Sequence, residues 1–375
     1  MRFKVESKEL YAALSAVNRV INSKNAMTIL NNFLFDVRED CMYVTASDIE
    51  NTLTARVEIS DVESPRRFCA DAKRSVELFR ELPQMTIEFK VDDNLAIDID
   101  YPGGHFNFVG IDGNEYPRTG DEIPADSSHS FTLPGEVVAA GIRNTSFAIG
   151  TDEIRPQMMG IYIDIKPEEL TFVATDTRKL VKYSDKNVAL GIEASCILPA
   201  KPANIIKNIF DKDDELNLVI GEKSAIITGG KMTLNSRLIK GNFPDYNRVI
   251  PRNNPYVLTV DRHLMLNAIR RVGVFVDPGH GLVKLRLTPE MIEMKAQDTN
   301  FCTVGRESVP CSFTGSNMVI GFSAPYLIEI FDTLQTTDVV VKLADPSRPG
   351  LFAPDADEPG TELIMLLMPM TVTEF

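Results

Sequence analysis

The chain lacks a positive charge balance. Lysine and arginine number 39 against 53 aspartates and glutamates, a formal charge of −14. Taken alone, that speaks against a simple nucleic-acid binder, whose electrostatic footprint is basic. Paired cysteines are also lacking. Cys41, Cys69, Cys196, Cys302 and Cys311 are odd in number, scattered and without CxxC spacing. This argues against a disulfide framework or a zinc site, and the five read as reduced core thiols of a cytoplasmic protein. No apolar run approaches the ~20 residues that span a bilayer, and the longest, Leu363 to Met368, has the length of a strand. The opening MRFKVESKEL has no apolar core of a secretory leader, so none is expected.

Catalytic signatures are equally scarce. His105, His129, His263 and His280 stand far apart without metal-ligand spacing. Gly229-Gly230-Lys231-Met232-Thr233 carries methionine where a phosphate-binding loop needs serine or threonine. There is no GxGxxG, no GxSxG, and no cysteine with an evident histidine partner. Acidic pairs such as Asp92-Asp93 and Asp213-Asp214 lie in polar turn contexts. No cofactor or metal is expected.

What the chain does have is repetition. FKVESKELYAALSAVNRVI from Phe3, FTLPGEVVAAGIRNTSFAI from Phe131 and LTVDRHLMLNAIRRVGVFV from Leu258 start 128 and 127 residues apart. Each reads as a short strand, a cap or turn residue (Ser7, Pro134, Asp261), and a helix with one apolar face: Leu10, Leu14 and Val17; Val138 and Ile142; Met265, Ile269 and Val272. A second block, beginning at Phe33, Met159 and Gly281, reads as a hairpin of two alternating strands followed by an aspartate: Asp48, Asp176 and Asp298. A third block is another helix: DAKRSVELFREL, AKPANIIKNIF and APYLIEIFDTL. A pair of closing strands completes each unit, ending as VGIDGNEYPR, LIKGNFPDYNRV and ELIMLLMPM. The pattern predicts an α+β chain of three similar units.

The last of these stretches is unusual. Seven of the eight residues from Leu363 to Met370 are apolar, Pro369 being the exception. A run of this kind suits a strand buried on both faces, which accounts for Leu363 to Leu367 but not for Met368-Pro369-Met370. The basic residues also have a pattern. Five of the six helices carry them: Lys8, with Arg19 just beyond; Lys73, Arg74 and Arg80; Arg143; Lys201 and Lys207; Arg262, Arg270 and Arg271. The sixth carries Glu329 and Asp332 instead, and many acids fall in turns, among them Asp211 to Glu215 and Asp355 to Glu358. Ordinary amphipathic helices would look the same. A sharper reading is that the helices face a polyanion, with phosphate contacts that carry no base information.

The whole length resembles the bacterial DNA polymerase III β subunit family. The resemblance is carried by Thr28-Ile29-Leu30, by Ala174-Thr175-Asp176 with Arg178, Lys179 and Leu180, by Gly241-Asn242-Phe243-Pro244-Asp245-Tyr246, and by Met368-Pro369-Met370. It implies three tandem two-helix, multi-strand clamp domains, at 1–125, 126–252 and 253–375. Two copies are then expected to form a homodimeric ring of six domains with helices lining the hole. The implied function is a sliding clamp that encircles double-stranded DNA without regard to sequence. Such a clamp tethers replicative polymerase, clamp loader and repair proteins through short Gln/Leu/Phe-containing peptides, and has no catalytic activity. The implied peptide pocket comprises Met158, Thr175, Thr177, Arg178, Leu180, Pro244, Arg248, Val249, Ser323, Tyr326, Leu366, Leu367, Met368, Pro369 and Met370. The implied DNA contacts are Lys24, Lys73, Arg74, Thr151, Gln157 and Lys201. The implied dimer seam holds Phe106 and Phe108 against Val274 and Phe275. Thr177-Arg178-Lys179-Leu180 stands where the family often has Gly-His-Arg-Leu. Two other readings stay open on the residues alone: a cytosolic enzyme using Asp176, Arg178 and Lys179, and an oligomeric scaffold that never meets DNA.

Overall fold

The apolar stripes read from the sequence lie on helices that bury them. In a computed structural model of the chain, Leu10, Leu14 and Val17, then Val138 and Ile142, then Met265, Ile269 and Val272 are all core residues. The structure describes residues 1–117, 123–124, 126, 128–210, 215–279, 281–298, 300–372 and 374–375. Residues 211–214, His280 and Thr373 lie outside the described residues.

The same element order runs three times. The first repeat holds β1 (Arg2–Glu6), α1 (Ser7–Val17), β2 (Asn32–Val37), β3 (Cys41–Ser47), β4 (Asn51–Ser60), β5 (Arg66–Asp71), α2 (Ala72–Glu81), β6 (Thr86–Val91), β7 (Ala96–Tyr101), β8 (Gly104–Val109) and the two-residue β9 (Ile111–Asp112). The second holds β10 (His129–Pro134), α3 (Gly135–Thr145), β11 (Gly160–Lys166), β12 (Glu169–Thr175), β13 (Lys179–Asp185), β14 (Ala194–Pro199), α4 (Ala200–Ile209), β15 (Glu215–Ile220), β16 (Ser224–Gly229) and β17 (Met232–Arg237). The third holds β18 (Tyr256–Asp261), α5 (Arg262–Val272), β19 (Leu282–Leu287), β20 (Met291–Asp298), β21 (Thr303–Pro310), β22 (Ser312–Phe313), β23 (Met318–Ser323), α6 (Ala324–Thr333), β24 (Asp338–Leu343), β25 (Gly350–Pro354) and β26 (Thr361–Leu367).

Two details differ from the sequence reading. The second block is a three-stranded meander, not a hairpin, and its aspartate shapes the second turn. Asp48 Oδ1 accepts the Asn51 N–H at 2.6 Å, Asp176 Oδ1 those of Arg178 and Lys179 at 2.9 and 2.8 Å, and Asp298 Oδ1 those of Asn300 and Phe301 at 2.8 and 3.2 Å. The closing element is likewise three strands. Its last members are β8, β17 and β26, so VGIDGNEYPR and LIKGNFPDYNRV largely follow that strand rather than form it. Asp261 caps its helix as read, accepting the Leu264 N–H at 2.7 Å. Ser7 instead begins α1, and its hydroxyl donates to the Pro83 carbonyl at 2.6 Å.

The chain divides into two compact units, residues 1–139 with 201–238 and residues 140–200 with 239–375. The first contains a branched sheet of order β10-β15-β16-β17-β4-β1-β6-β7-β8. In it β17 runs antiparallel to β4, Met232 opposite Ala55 and Ser236 opposite Asn51, so one ladder joins the first repeat to the second. The second unit contains a sheet of order β14-β11-β12-β13-β26-β25-β24-β18-β22 and a four-stranded sheet β21-β20-β19-β23. There β26 pairs with β13 from Thr361 opposite Asp185 to Leu367 opposite Lys179, joining the third repeat to the second in the same way. Leu363, Met365, Leu366 and Leu367 are buried, as expected for a central strand.

A partly buried ion pair pins the first join. The Lys201 ammonium, near the start of α4, donates to the Val20 carbonyl at 2.5 Å, to Asn22 Oδ1 at 2.6 Å and to Asp48 Oδ2 at 2.5 Å. The Asp48 side chain is only 5% exposed. Removing the ammonium would strand a buried carboxylate, and because Lys201 is itself partly solvated the penalty falls below that of a fully buried pair. Lys201→Met is expected to destabilise the chain by about 2 kcal/mol, read as a lower midpoint in denaturant unfolding.

Candidate functional site

The residues named for a peptide pocket gather at the second join, all within one compact unit. Leu180 and Leu366 stand opposite each other on β13 and β26. With Val173 and Tyr246 they form one buried apolar cluster, against which Tyr162, Phe243, Ile250 and Leu351 pack. The Tyr162 and Phe243 rings stack at 4.9 Å. Tyr246 is anchored by its hydroxyl, which donates to Asp164 at 2.8 Å; burial, with Asp164 adding, pushes that phenol's pKa up. Around this floor Arg248 and Val249 are exposed, and Met158, Ser323 and Tyr326 are half-buried.

One lip is the turn Asp176 to Lys179. Thr175 Oγ1 donates to the Lys179 carbonyl at 2.8 Å, and Thr177 adopts φ +78°. That left-handed conformation suits glycine better than a β-branched residue. Arg178 projects into solvent, whereas Lys179 is buried. The Lys179 ammonium bonds to Glu329 and lies 4.4 Å from the Tyr326 ring centre and 5.4 Å from that of Phe147. Asp176 and Lys179 are thereby engaged in holding the turn and fixing Tyr326 at the start of α6.

The other lip is the tail. Beyond β26, the Met368 N–H donates to the Arg178 carbonyl at 2.8 Å and the Met370 N–H to the Gly321 carbonyl at 2.8 Å. Met368-Pro369-Met370 therefore links the turn before β13 to β23 with alternate bonds, and leaves the Met368 side chain exposed. The chain end is anchored further on, with the Arg286 guanidinium 3.9 Å from the Phe375 ring centre. Nothing local in the sequence marks this contact, or Glu329 and Phe147 around Lys179, because these partners are far apart in the chain.

The candidate DNA contacts differ among themselves. Lys24 and Lys73 are exposed and Arg74 is exposed, while Thr151 is exposed and Gln157 packs beside Gly241. Lys201 departs from the expectation, since its three hydrogen-bond donors are already taken inside the fold. Several other helix cations are also neutralised within the chain: Arg80 by Glu81, Arg270 by Asp332 and Arg271 by Glu307. In the expected seam, Phe106 and Phe108 are half-buried rather than bare, Phe106 stacking on Tyr101 at 5.5 Å. Val109 at 83%, Val274 at 78% and Phe301 at 75% exposure are the barer apolar side chains there. Of the thiols, Cys41, Cys69 and Cys196 are core residues as read, but Cys302 is exposed and Cys311 half-buried.

Three family profiles match in tandem: DNA polymerase III beta subunit, N-terminal domain, over residues 1–120; central domain over 132–245; and C-terminal domain over 247–370. The chain belongs to the DNA polymerase III beta subunit family. It is 26% identical to the "Beta sliding clamp" of Bacillus subtilis, over 97% of this chain and 99% of that one. It is 25% identical to the "Beta sliding clamp" of Pseudomonas aeruginosa, over 98% of this chain and all of that one. The fold is similar to a crystal structure of the Pseudomonas aeruginosa DNA polymerase sliding clamp, with a TM-score of 0.92 at 23% identity over 99% of this chain and all of that chain. The positive φ of Thr177 is a physical reason for the glycine that the resemblance leads one to expect at this position.

The tail's bonds and the strand before it can be separated by truncation. Deleting residues 368–375 removes both tail bonds and the Phe375 contact but leaves β26 whole. Folding is expected to survive with a loss of ~1–3 kcal/mol. Binding of a short Gln- and Leu/Phe-bearing peptide, the ligand the resemblance implies, should fall by about tenfold or more. Deleting only residues 373–375 should cost under about 1 kcal/mol, the scale of one exposed cation–π contact, and leave peptide binding unchanged. Thermal melting and fluorescence anisotropy titration read the two effects.

Proposed function

We propose that this chain is a DNA sliding clamp: two copies close head to tail into a six-domain ring around duplex DNA and tether polymerase and other DNA-processing proteins, without catalysing a reaction. The domains are 1–125, 126–252 and 253–375. Family membership supports this reading, as do relatives named as sliding clamps. The observation that carries it is the repeated join. Twice within the chain, the last strand of one repeat's closing triad pairs with the third strand of the preceding repeat's meander, β17 with β4 and β26 with β13. One counterpart of each kind is left over. β8, the last strand of the first repeat, pairs only with β7, and β21, the third meander strand of the last repeat, pairs only with β20 among the described residues. A third join of the same kind needs a second copy, and two such joins close a ring.

The charge pattern suits this function. Lys8, Arg19, Lys24 and Arg74 make no ion pair among the described residues, so cations remain for phosphates despite the overall charge of −14. Screening over ~8 Å at physiological salt hides distant acids from a duplex close to these side chains. Contacts to phosphates are blind to sequence and exchange readily, as sliding requires. The pocket over Leu180, Val173, Tyr246 and Leu366 is the proposed seat of short partner peptides, with apolar walls for buried anchors. An enzyme built on Asp176, Arg178 and Lys179 is disfavoured, because Asp176 and Lys179 already hold the turn.

An unpaired strand edge flanked by exposed apolar side chains is an aggregation hazard unless something covers it. Phe106→Ala with Phe108→Ala should weaken dimerisation by about tenfold or more while leaving the monomer folded. Sedimentation velocity across a dilution series checks this. A variant that stays dimeric at nanomolar concentration would contradict the proposed seam.

A further inference from the structure

The four-stranded sheet β21-β20-β19-β23, within the second compact unit, carries a row of cations across its outward face. Gly321, Lys284, Lys295 and Arg306 stand opposite one another on β23, β19, β20 and β21, so their side chains share that face. Arg286 and Glu293 face each other in the next row. Like charges directly opposite on a sheet are destabilising, and the acids nearby do not relieve the row. Glu293 pairs with Arg286 at 2.8 Å, and Glu307 is paired with Arg271. Lys295 and Arg306 make no hydrogen bond or ion pair among the described residues. In a chain of net charge −14, such a face is an exception.

One occupant of this face belongs to the chain itself. The Lys284 ammonium donates to the Glu374 carbonyl. The Phe375 ring centre lies 3.9 Å from the Arg286 guanidinium and 6.0 Å from the Lys295 ammonium. On its way there the tail passes close over β23. A Cβ at Gly321 would stand 2.6 Å from a Val372 methyl and 3.0 Å from the Met370 carbonyl oxygen, so only glycine leaves room for it. The occupant uses only part of what the face offers. Phe375 is half-buried, and beside it an open hollow of about 300 Å³ is lined by Arg286, Arg306 and Ser308 among others. The Glu374 carboxylate makes no ion pair among the described residues, so the row keeps its charge.

We propose that this face is a second docking site, separate from the pocket over Leu180, for a partner peptide in which an aromatic residue is flanked by acidic ones, and that Glu374-Phe375 holds the same seat in cis. The partner's ring would replace Phe375 on Arg286, and its carboxylates would meet Lys295 and Arg306, which the tail leaves without an anion. A cation over a ring face and a desolvated charge pair both favour such a ligand. Pairing of the free β21 edge with another strand would leave the site open, because side chains stand off a sheet nearly at right angles to its ladder. The inference therefore does not depend on the ring.

The test uses the full chain and a fluorescein-labelled Asp-Glu-Phe-Glu-Asp peptide, followed by anisotropy at low salt, with thermal melts to confirm that each variant folds. Deleting residues 373–375 should tighten binding by about threefold or more, because the tethered competitor is gone. In that shortened chain, Lys295→Glu with Arg306→Glu should weaken binding by about tenfold or more. Replacing the peptide's phenylalanine by alanine should weaken it by about threefold or more. Charge variants that bind the peptide as the parent does would overturn the site. Equal binding of the alanine peptide would reduce the face to a counter-ion surface and also overturn it. Displacement of the peptide by an oligothymidylate of equal charge, as effectively as by unlabelled peptide, would assign the face to phosphates instead. No gain on truncation would overturn the competition by Phe375. Each of these results leaves dimerisation and binding of the Gln- and Leu/Phe-bearing peptide untouched, so failure here is distinct from failure of the clamp reading.

Discussion

Backbone ladders across repeat boundaries are the constraint on which this architecture depends. A strand edge exposes a row of N–H and C=O groups that must be paired, covered or left as a liability. Here β17 completes β4 and β26 completes β13, so the edges at both internal boundaries become the interior of shared sheets. The apolar tail follows from the same requirement. Leu363, Met365, Leu366 and Leu367 are buried because β26 lies between β13 and β25. The bonds of Met368 and Met370 to Arg178 and Gly321 then carry the backbone across to the four-stranded sheet. A buried apolar cluster forms at that join because strands from two repeats meet there, Leu180 and Leu366 facing each other beside Tyr246.

Much of this was legible in the sequence, for identifiable reasons. Helix faces at Leu10, Leu14 and Val17 or Met265, Ile269 and Val272 show through because burial repeats with the helical period. The threefold repetition is visible because each copy must rebuild the same core. The meander's third strand was missed because its signal is interrupted by Asp48, Asp176 and Asp298, polar residues that look like an ending and are instead turn-formers. The proposed pocket residues rest on the resemblance alone. Nothing local marks Leu180 and Leu366 as neighbours, since they are brought together by a ladder between distant segments.

Electrostatics was the least legible layer. A lysine on a helix reads as a free cation until its partners are known. Lys201 proves to be fully engaged, and Arg270 and Arg271 are paired, whereas Lys24 and Lys73 are not. The cations that remain are those the structure itself does not use, which is the condition for their serving a partner. Likewise Lys179, in a motif that resembles a polar cluster, is a buried strut between Glu329 and two aromatic rings. Sequence position alone could not separate strut from contact.

A sliding ring holds DNA by topology rather than by affinity, and retention on circular against linear DNA measures this directly. The protein is loaded onto nicked circular DNA, the circle is isolated by gel filtration at moderate salt, and half of the sample is linearised with a single cut. The protein should stay with the circles and be lost from the linear molecules, which have ends to slide from. Equal retention on both forms, or equal loss from both, would contradict it.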